Sequence, residues 1–205
     1  MHLDLPHLTY SGGPLDDPSI VDGVPPDFAS LLRARNGCVA FQGGLHVRGA
    51  CRDPAWHSLR QAWEGADALH QLYEEVRPTD VPFAEDAFGD QLLLRDGRVL
   101  RLTGELGELS EVAVGLEEFF AGLMTDPGRI LDYEPLLKFL AGGAELRPGQ
   151  LLACHPPFVL AAEGTRRELR AVDALEQRRF LADLARELHG LPEGAEVRLT
   201  GPTAP

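Results

Sequence analysis

The sequence predicts an α+β fold: an antiparallel sheet in the middle of the chain, helices packed against it, and a C-terminal α/β extension. Three observations carry this. Asp96-Gly97 lies between two apolar runs, Gln91 to Leu94 and Arg98 to Leu102. That suits a two-residue type I′ hairpin, because glycine tolerates the positive φ the turn demands. Leu109 to Ala113 follows as a third strand-length run. Leu116, Phe119, Phe120, Leu123 and Met124 then recur at helical spacing and form one apolar stripe. The strands do not alternate cleanly between apolar and polar residues, so both faces of the sheet are expected to be partly covered.

The remaining elements follow in chain order. Residues 1 to 24 are rich in Gly, Pro and Asp and read as an arm over the surface, anchored at Leu8 to Tyr10. Pro25-Pro26 opens a helix with Phe28, Leu31 and Leu32 on one face, since proline fits the first turn where its N–H is not needed. Asn36-Gly37 reads as a left-handed cap. Cys38 to Phe41 and Leu45 to Val47 read as paired strands about Gly43-Gly44. Asp53-Pro54 suits the start of a helix carrying Trp56, Leu59 and Trp63. A second helix carries Leu69, Leu72, Tyr73 and Val76, and Pro78 ends it. Val81 to Asp86 leads into the hairpin.

Asp126-Pro127-Gly128 closes the stripe helix, giving a core domain over residues 1–126 and an extension over 127–205 packed on it. In the extension, Pro135 begins a short helix with Leu136, Leu137, Phe139 and Leu140. Leu151 to Ala161 is an apolar run broken by Pro156-Pro157, which suits an edge strand. Asp173, with Glu176 three residues on, caps the longest helix. Phe180, Leu181, Leu184, Ala185 and Leu188 are its expected buried side, Glu196 to Thr200 a last strand, and Pro202 to Pro205 a tail.

Composition is that of a globular protein, 44% hydrophobic and 25% charged, but 19 Lys and Arg against 32 Asp and Glu leave a net charge of −13. That field opposes nucleic acid and anionic membranes and favours basic partners. No run approaches the roughly 20 apolar residues that span a bilayer. Met1-His2-Leu3-Asp4 has neither a basic nor an apolar leader character. With Cys38, Cys51 and Cys154 as a sparse odd set, a reducing cytoplasm is the expected location.

Several groups invite chemistry. Cys38, His46, Cys51 and His57 lie within twenty residues, yet their spacing matches no zinc pattern, and a Cys38/Cys51 core pair or surface histidines are the plainer readings. Cys154-His155 suggests a nucleophile, but neighbours on a strand face opposite ways, so a base such as His46 or His189 would have to arrive by folding. Glu85, Asp86, Asp90, Glu105 and Glu108 gather around the strand turns, where they either cap turns or meet a basic partner. Trp56 and Trp63 read as core, or as interface anchors if exposed. Arg166, Arg167, Arg170, Arg178, Arg179 and Arg186 read as a solvated or salt-bridged strip. Neither G-x-G-x-x-G nor a P-loop is present, so no cofactor is expected.

Pro25-Pro26-Asp27-Phe28, Asn36-Gly37, Val81-Pro82-Phe83-Ala84, Gly89-Asp90, the strands about Asp96-Gly97 and the helix with Phe119-Phe120 together resemble the SUKH superfamily. That group includes a fungal regulator of cell-wall synthesis and many bacterial immunity proteins that neutralise polymorphic toxins. The resemblance covers roughly residues 20–125. It implies helices on an antiparallel sheet and a non-catalytic role in binding another protein. The segment Trp56 to Val76 and everything after Pro127 lie outside a minimal member. With the −13 charge, the expectation is an immunity-type protein that sequesters a basic toxin domain, with Glu85, Asp86, Glu105 and Glu108 as contacts. A regulatory or scaffolding role within the same family, and a small hydrolase using Cys154 or an acidic pair, are the alternatives. No metal or catalytic residue is assigned, and the oligomeric state is not legible.

Overall fold

A computed structural model describes residues 4–131, 133–160, 166–191 and 195. Glu196 to Thr200 and Pro202 to Pro205, expected as a strand and a tail, lie outside the described residues, as does Ala161. The chain builds one seven-stranded sheet in which every strand pairs with its sequence neighbour, all antiparallel. The strands are β1 (Tyr10–Ser11), β2 (Cys38–Ala40), β3 (Leu45–Val47), β4 (Val81–Asp86), β5 (Gln91–Arg95), β6 (Arg98–Leu102) and β7 (Leu109–Ala113). A separate hairpin pairs β8 (Gln150–His155) with β9 (Glu168–Asp173). The helices are α1 (Pro18–Val21), α2 (Pro26–Ala34), α3 (Leu59–Glu64), α4 (Leu69–Leu72), α5 (Gly115–Thr125), α6 (Tyr133–Ala141) and α7 (Ala174–Leu188).

The β5–β6 hairpin turns as its sequence requires. Arg95 faces Arg98 across Asp96 (φ 51°) and Gly97 (φ 78°), the two positive values of a type I′ turn. Gly97→Ala should cost about 1–2 kcal/mol through its left-handed backbone alone, since nothing crowds the position. A urea titration showing no loss would refute that account.

Both faces of the sheet are covered, and β5 shows how. Leu92 and Leu94 enter a core with Phe28, Phe83, Phe119, Phe120 and Leu123, while Leu93 enters a second core with Leu69, Tyr73, Leu102, Ala182 and Ala185. The two-residue period of a strand sends alternate leucines to opposite layers. The first layer is α2, α5 and the N-terminal arm; α4 and α7 contribute to the second. A third cluster joins Ala87 and Phe88 to Leu136, Leu146 and Leu152 of the extension. The extension also touches the sheet where Leu152 N–H donates to the Ala87 carbonyl, at 2.7 Å.

Several local expectations are corrected. The arm is anchored by buried Leu5, Ile20 and Val21, while Leu8 is exposed. The helix expected at Asp53-Pro54 begins at Leu59, capped by Ser58, whose hydroxyl accepts from Gln61 N–H and donates to the Cys51 carbonyl. Backbone bonds from Gly49 to His57 and from Leu59 to Gly49 hold 50–57 as a loop, so Trp56 lies outside the helix that carries Trp63. The next helix stops at Leu72. Tyr73 turns extended, because its ring enters the second core and its hydroxyl donates to the Gly104 carbonyl. Asn36 is no helix cap: its amide donates to the Gly13, Pro14 and Ala50 carbonyls and accepts from Ala50 N–H, tying the arm to the loop after β3. Met124, Leu137 and Phe180 are exposed, each at the margin of its helix's apolar stripe. Asp173 caps α7 as expected, accepting from Leu175 and Glu176 N–H.

Candidate functional site

The densest chemistry lies between β3, β4 and α7, and it is buried. β4 has no exposed residue, so Glu85, one residue before its end, is carried into the interior. Its register partner is His46 on β3. His46 Nδ1 lies 2.8 Å from Glu85 Oε1, His46 Nε2 lies 2.8 Å from His57 Nδ1, and His57 Nε2 lies 3.1 Å from the Asn36 carbonyl. On the other side, Glu85 Oε2 accepts from Arg48 at 3.1 Å, from Gln91 at 3.0 Å and from Arg178 Nε at 2.6 Å. Arg178 Nη2 closes a bidentate pair on Oε1 and also reaches the Trp56 carbonyl. Arg48, fully buried just after β3, donates further to the Pro82 and Ala84 carbonyls and to Gln91. Gly49 is required beside this chain of contacts. A Cβ there would stand 2.5 Å from His57 Nε2 and 2.6 Å from the Asn36 carbonyl. Tyr10 and Trp56 pack on the two imidazoles from outside, with ring centroids 4.9–5.3 Å away.

The charges follow from this geometry. Burial alone would raise the Glu85 carboxyl, but the Arg178 and Arg48 guanidiniums and the His46 bond hold it well below the ordinary range. Burial pulls Arg48 down to about 9, which leaves it a cation at neutral pH. Burial pushes His46 down to about 3 against the pull of Glu85, and His57 down to about 4 against the Asn36 carbonyl, which would favour a proton on the ring. Both rings are therefore neutral at pH 7, and the partners set their tautomers. The Glu85 anion only accepts, so His46 carries its proton on Nδ1. His46 Nε2 is then a lone pair and accepts from His57 Nδ1–H. This leaves His57 Nε2 as a lone pair against the Asn36 carbonyl oxygen, the longest of the three contacts.

The acidic residues expected at a partner interface separate under this fold. Glu85 and Asp86 are only 1% and 3% exposed, so neither can meet a partner. Asp86 accepts from Phe88 and Asp90 N–H and pairs with Arg101, which also pairs with Asp90. Carboxylates at turns are usually solvated; here Arg178 of the extension covers Glu85, and Arg101 covers Asp86. Glu105 is half-buried and accepts from Phe158 N–H at 3.0 Å and Val159 N–H at 2.7 Å, joining the β6–β7 loop to the extension. Burial raises its carboxyl, and those two donors oppose the shift. Glu108 alone of the four is exposed.

His46 and His57 are buried and not surface residues, and they face each other and Glu85 in a line. Among the described residues no group of three or more His, Cys, Asp or Glu converges as a metal site. Cys154 lines a cavity of about 320 Å³ between the sheet and the extension, with Phe88, Leu106, Phe158 and Gln177. Its thiol, raised by burial, donates to the Pro156 carbonyl, and no histidine lines the cavity. His155 points outward from the same strand, as neighbours on a strand must. The arginine strip also divides. Arg170 lies on β9 beside Glu168, Arg179 pairs with Asp67 and Arg186 with Asp183, all exposed, while Arg178 is buried against Glu85. Helical spacing signals this: Arg178 stands three and four residues before buried Leu181 and Ala182.

No protein-family model matches the chain, and no curated protein matches it. The fold is shared with the crystal structure of Atu4351 from Agrobacterium tumefaciens, at 20% identity and a TM-score of 0.51, over 87% of this chain and 84% of that one. At that identity the likeness speaks to the fold alone. No helix among the described residues is long and apolar enough to cross a membrane.

Proposed function

We propose that this protein is a non-catalytic binding module of immunity type, SUKH-like in character, that sequesters a basic toxin domain in the cytoplasm. The observation that carries the reading is the distribution of charge. The net charge is −13, and the exposed carboxylates Glu74, Glu75 and Glu108 have no cation partner among the described residues. Glu74 and Glu75 line a groove of about 200 Å³ with Leu106 and Gly107, two residues before Glu108. The groove also holds His70, His189 and Arg186, the last paired with Asp183. The buried carboxylates Asp17, Asp80, Glu85 and Asp86, by contrast, are each paired with an arginine. The proposed contacts are Glu108, Glu74 and Glu75, since Glu85 and Asp86 are buried and Glu105 is held by Phe158 and Val159 N–H.

An acidic surface steers a cationic partner, so association should be fast and salt-sensitive. The test is to express the toxin-like gene adjacent to this one and measure its association rate with the protein against ionic strength. Reversing Glu74, Glu75 and Glu108 to lysine should slow association at least about tenfold without changing the unfolding midpoint. If no toxin-like neighbour exists, and native pull-downs recover only metabolic or cell-wall regulators, the regulatory role replaces this one.

A further inference from the structure

The cavity beside Cys154 has a feature that packing does not explain. Gln177, on α7, lines it and is only 7% exposed, so what remains accessible of this polar side chain belongs to the cavity. An occupant that covers this amide must give it a hydrogen bond in return, because a polar group left unpaired on burial costs on the order of 1–3 kcal/mol. The amide offers both a donor and an acceptor, which is the complement of a peptide group.

Phe88, Leu106, Leu152, Phe158 and Val159 make the rest of the wall mostly apolar, and its polar members are already engaged: Asp90 by Gly104 N–H and Arg101, Glu105 by Phe158 and Val159 N–H, and Thr103 by the Glu108 carbonyl. Phe88 and Phe158 meet edge to face, with centroids 5.3 Å apart. The volume, about 320 Å³, is roughly twice that of an engineered cavity that accepts benzene. Leu106 and Val159 expose 39% and 38% of their surface at its rim. Leu106 also lines the acidic groove of Glu74 and Glu75, so the apolar cavity and the carboxylates adjoin across one side chain. Two cations stand nearby and are already engaged. Arg101 pairs with Asp86 and Asp90, and Arg167 stacks over Phe158 at 5.3 Å.

We propose that this cavity is the anchor pocket of the partner-binding face: it takes one aromatic side chain of the partner polypeptide, whose backbone amide pairs with Gln177. The basic residues flanking that aromatic side chain lie toward Glu74 and Glu75. This rests on the partner-binding reading above and specifies it. Interfaces concentrate their energy in such buried aromatic anchors, ringed by contacts that exclude water.

The test uses the full chain and N-acetylphenylalaninamide as probe. Titration into isotopically labelled protein should shift the Gln177 side-chain amide and the backbone amides of Leu106, Phe158 and Val159, with millimolar affinity. The probe should also slow modification of Cys154 by methyl methanethiosulfonate and leave Cys38 and Cys51 unaffected. N-acetylglycinamide, which lacks the ring, should do neither. Gln177→Leu should weaken the probe at least tenfold while the unfolding midpoint stays the same or rises. Absence of these shifts up to the solubility limit overturns the proposal, as does full probe binding by Gln177→Leu or an equal response to N-acetylglycinamide. A dimer in solution with Cys154 protected before any probe is added assigns the pocket to a second copy and overturns it too. If the probe fails but the neighbouring toxin binds, the pocket falls and the function stands. If the probe binds and the toxin does not, the aromatic pocket stands and the toxin reading falls.

Discussion

Replacing Glu85 by alanine is expected to cost about 3–5 kcal/mol, a large part of the stability of an ordinary domain. The reason is the count of buried charge. Glu85 is the carboxylate that both Arg48 and Arg178 share, and all three side chains are less than a tenth exposed. Removing it leaves two guanidiniums in the interior with no counter-charge and strips the acceptor from His46 Nδ1. Glu85→Gln keeps the shape and loses the charge, so it should fall between wild type and alanine. Arg178→Met should cost less, because Arg48 still neutralises Glu85, and its effect should concentrate in α7, as faster amide exchange there. Urea titrations of the three variants and an Arg178/Glu85 double-mutant cycle check this. A loss of less than about 1 kcal/mol for Glu85→Ala would place the pair among ordinary surface bridges and contradict the buried cluster.

Acid should destabilise the protein steeply well before its carboxylates titrate as a group. His46 and His57 remain neutral in the fold down to about 3 and about 4. In the unfolded chain an imidazole takes a proton near pH 6.5. The unfolded state therefore binds more protons throughout that window. Stability is complete above about pH 6.5 and falls as the pH drops toward 4. Each unit of depression is worth about 1.4 kcal/mol, so the two rings together remove several kcal/mol by about pH 4. Glu85 acts in the same sense further down. Its folded carboxyl lies well below the ordinary 4.5, so its contribution, present above that value, is lost beneath it. The urea midpoint should drop steeply from pH 6.5 to 4, and the His46→Gln, His57→Gln double variant should flatten the slope. Imidazole nitrogen spectra at pH 7 should show Nδ1–H on both rings. A slope indifferent to both substitutions would mean that the rings are accessible to protons in the fold.

The architecture was legible where local physics decides it. Asp96-Gly97 admits few conformations other than its hairpin turn. The stripe of Leu116, Phe119, Phe120 and Leu123 buries itself as its spacing demands. Pro26 and Asp173 start α2 and α7 where proline chemistry and side-chain capping favour a start. The α+β class follows from these alone. The same local reasoning failed at Trp56 and Tyr73, where hydrogen bonds to distant backbone, Gly49 and Gly104, outweigh helical propensity.

The candidate site lay beyond sequence reading for a related reason. Charge, counts of ionisable residues and the short-range spacing of His46 and His57 are properties of the chain. Whether Glu85 meets solvent or Arg178, 93 positions away, is a property of the fold. So is the pairing of Glu105 with the backbone of Phe158 and Val159, which closes one side of the cavity that Gln177 lines. The sequence by itself determined the secondary-structure class, the acidic field and the absence of nucleotide-binding motifs. Only the tertiary structure decided which carboxylates are interior counter-ions and which remain for a partner, because burial and long-range ion pairing exist only once the C-terminal extension lies against the sheet.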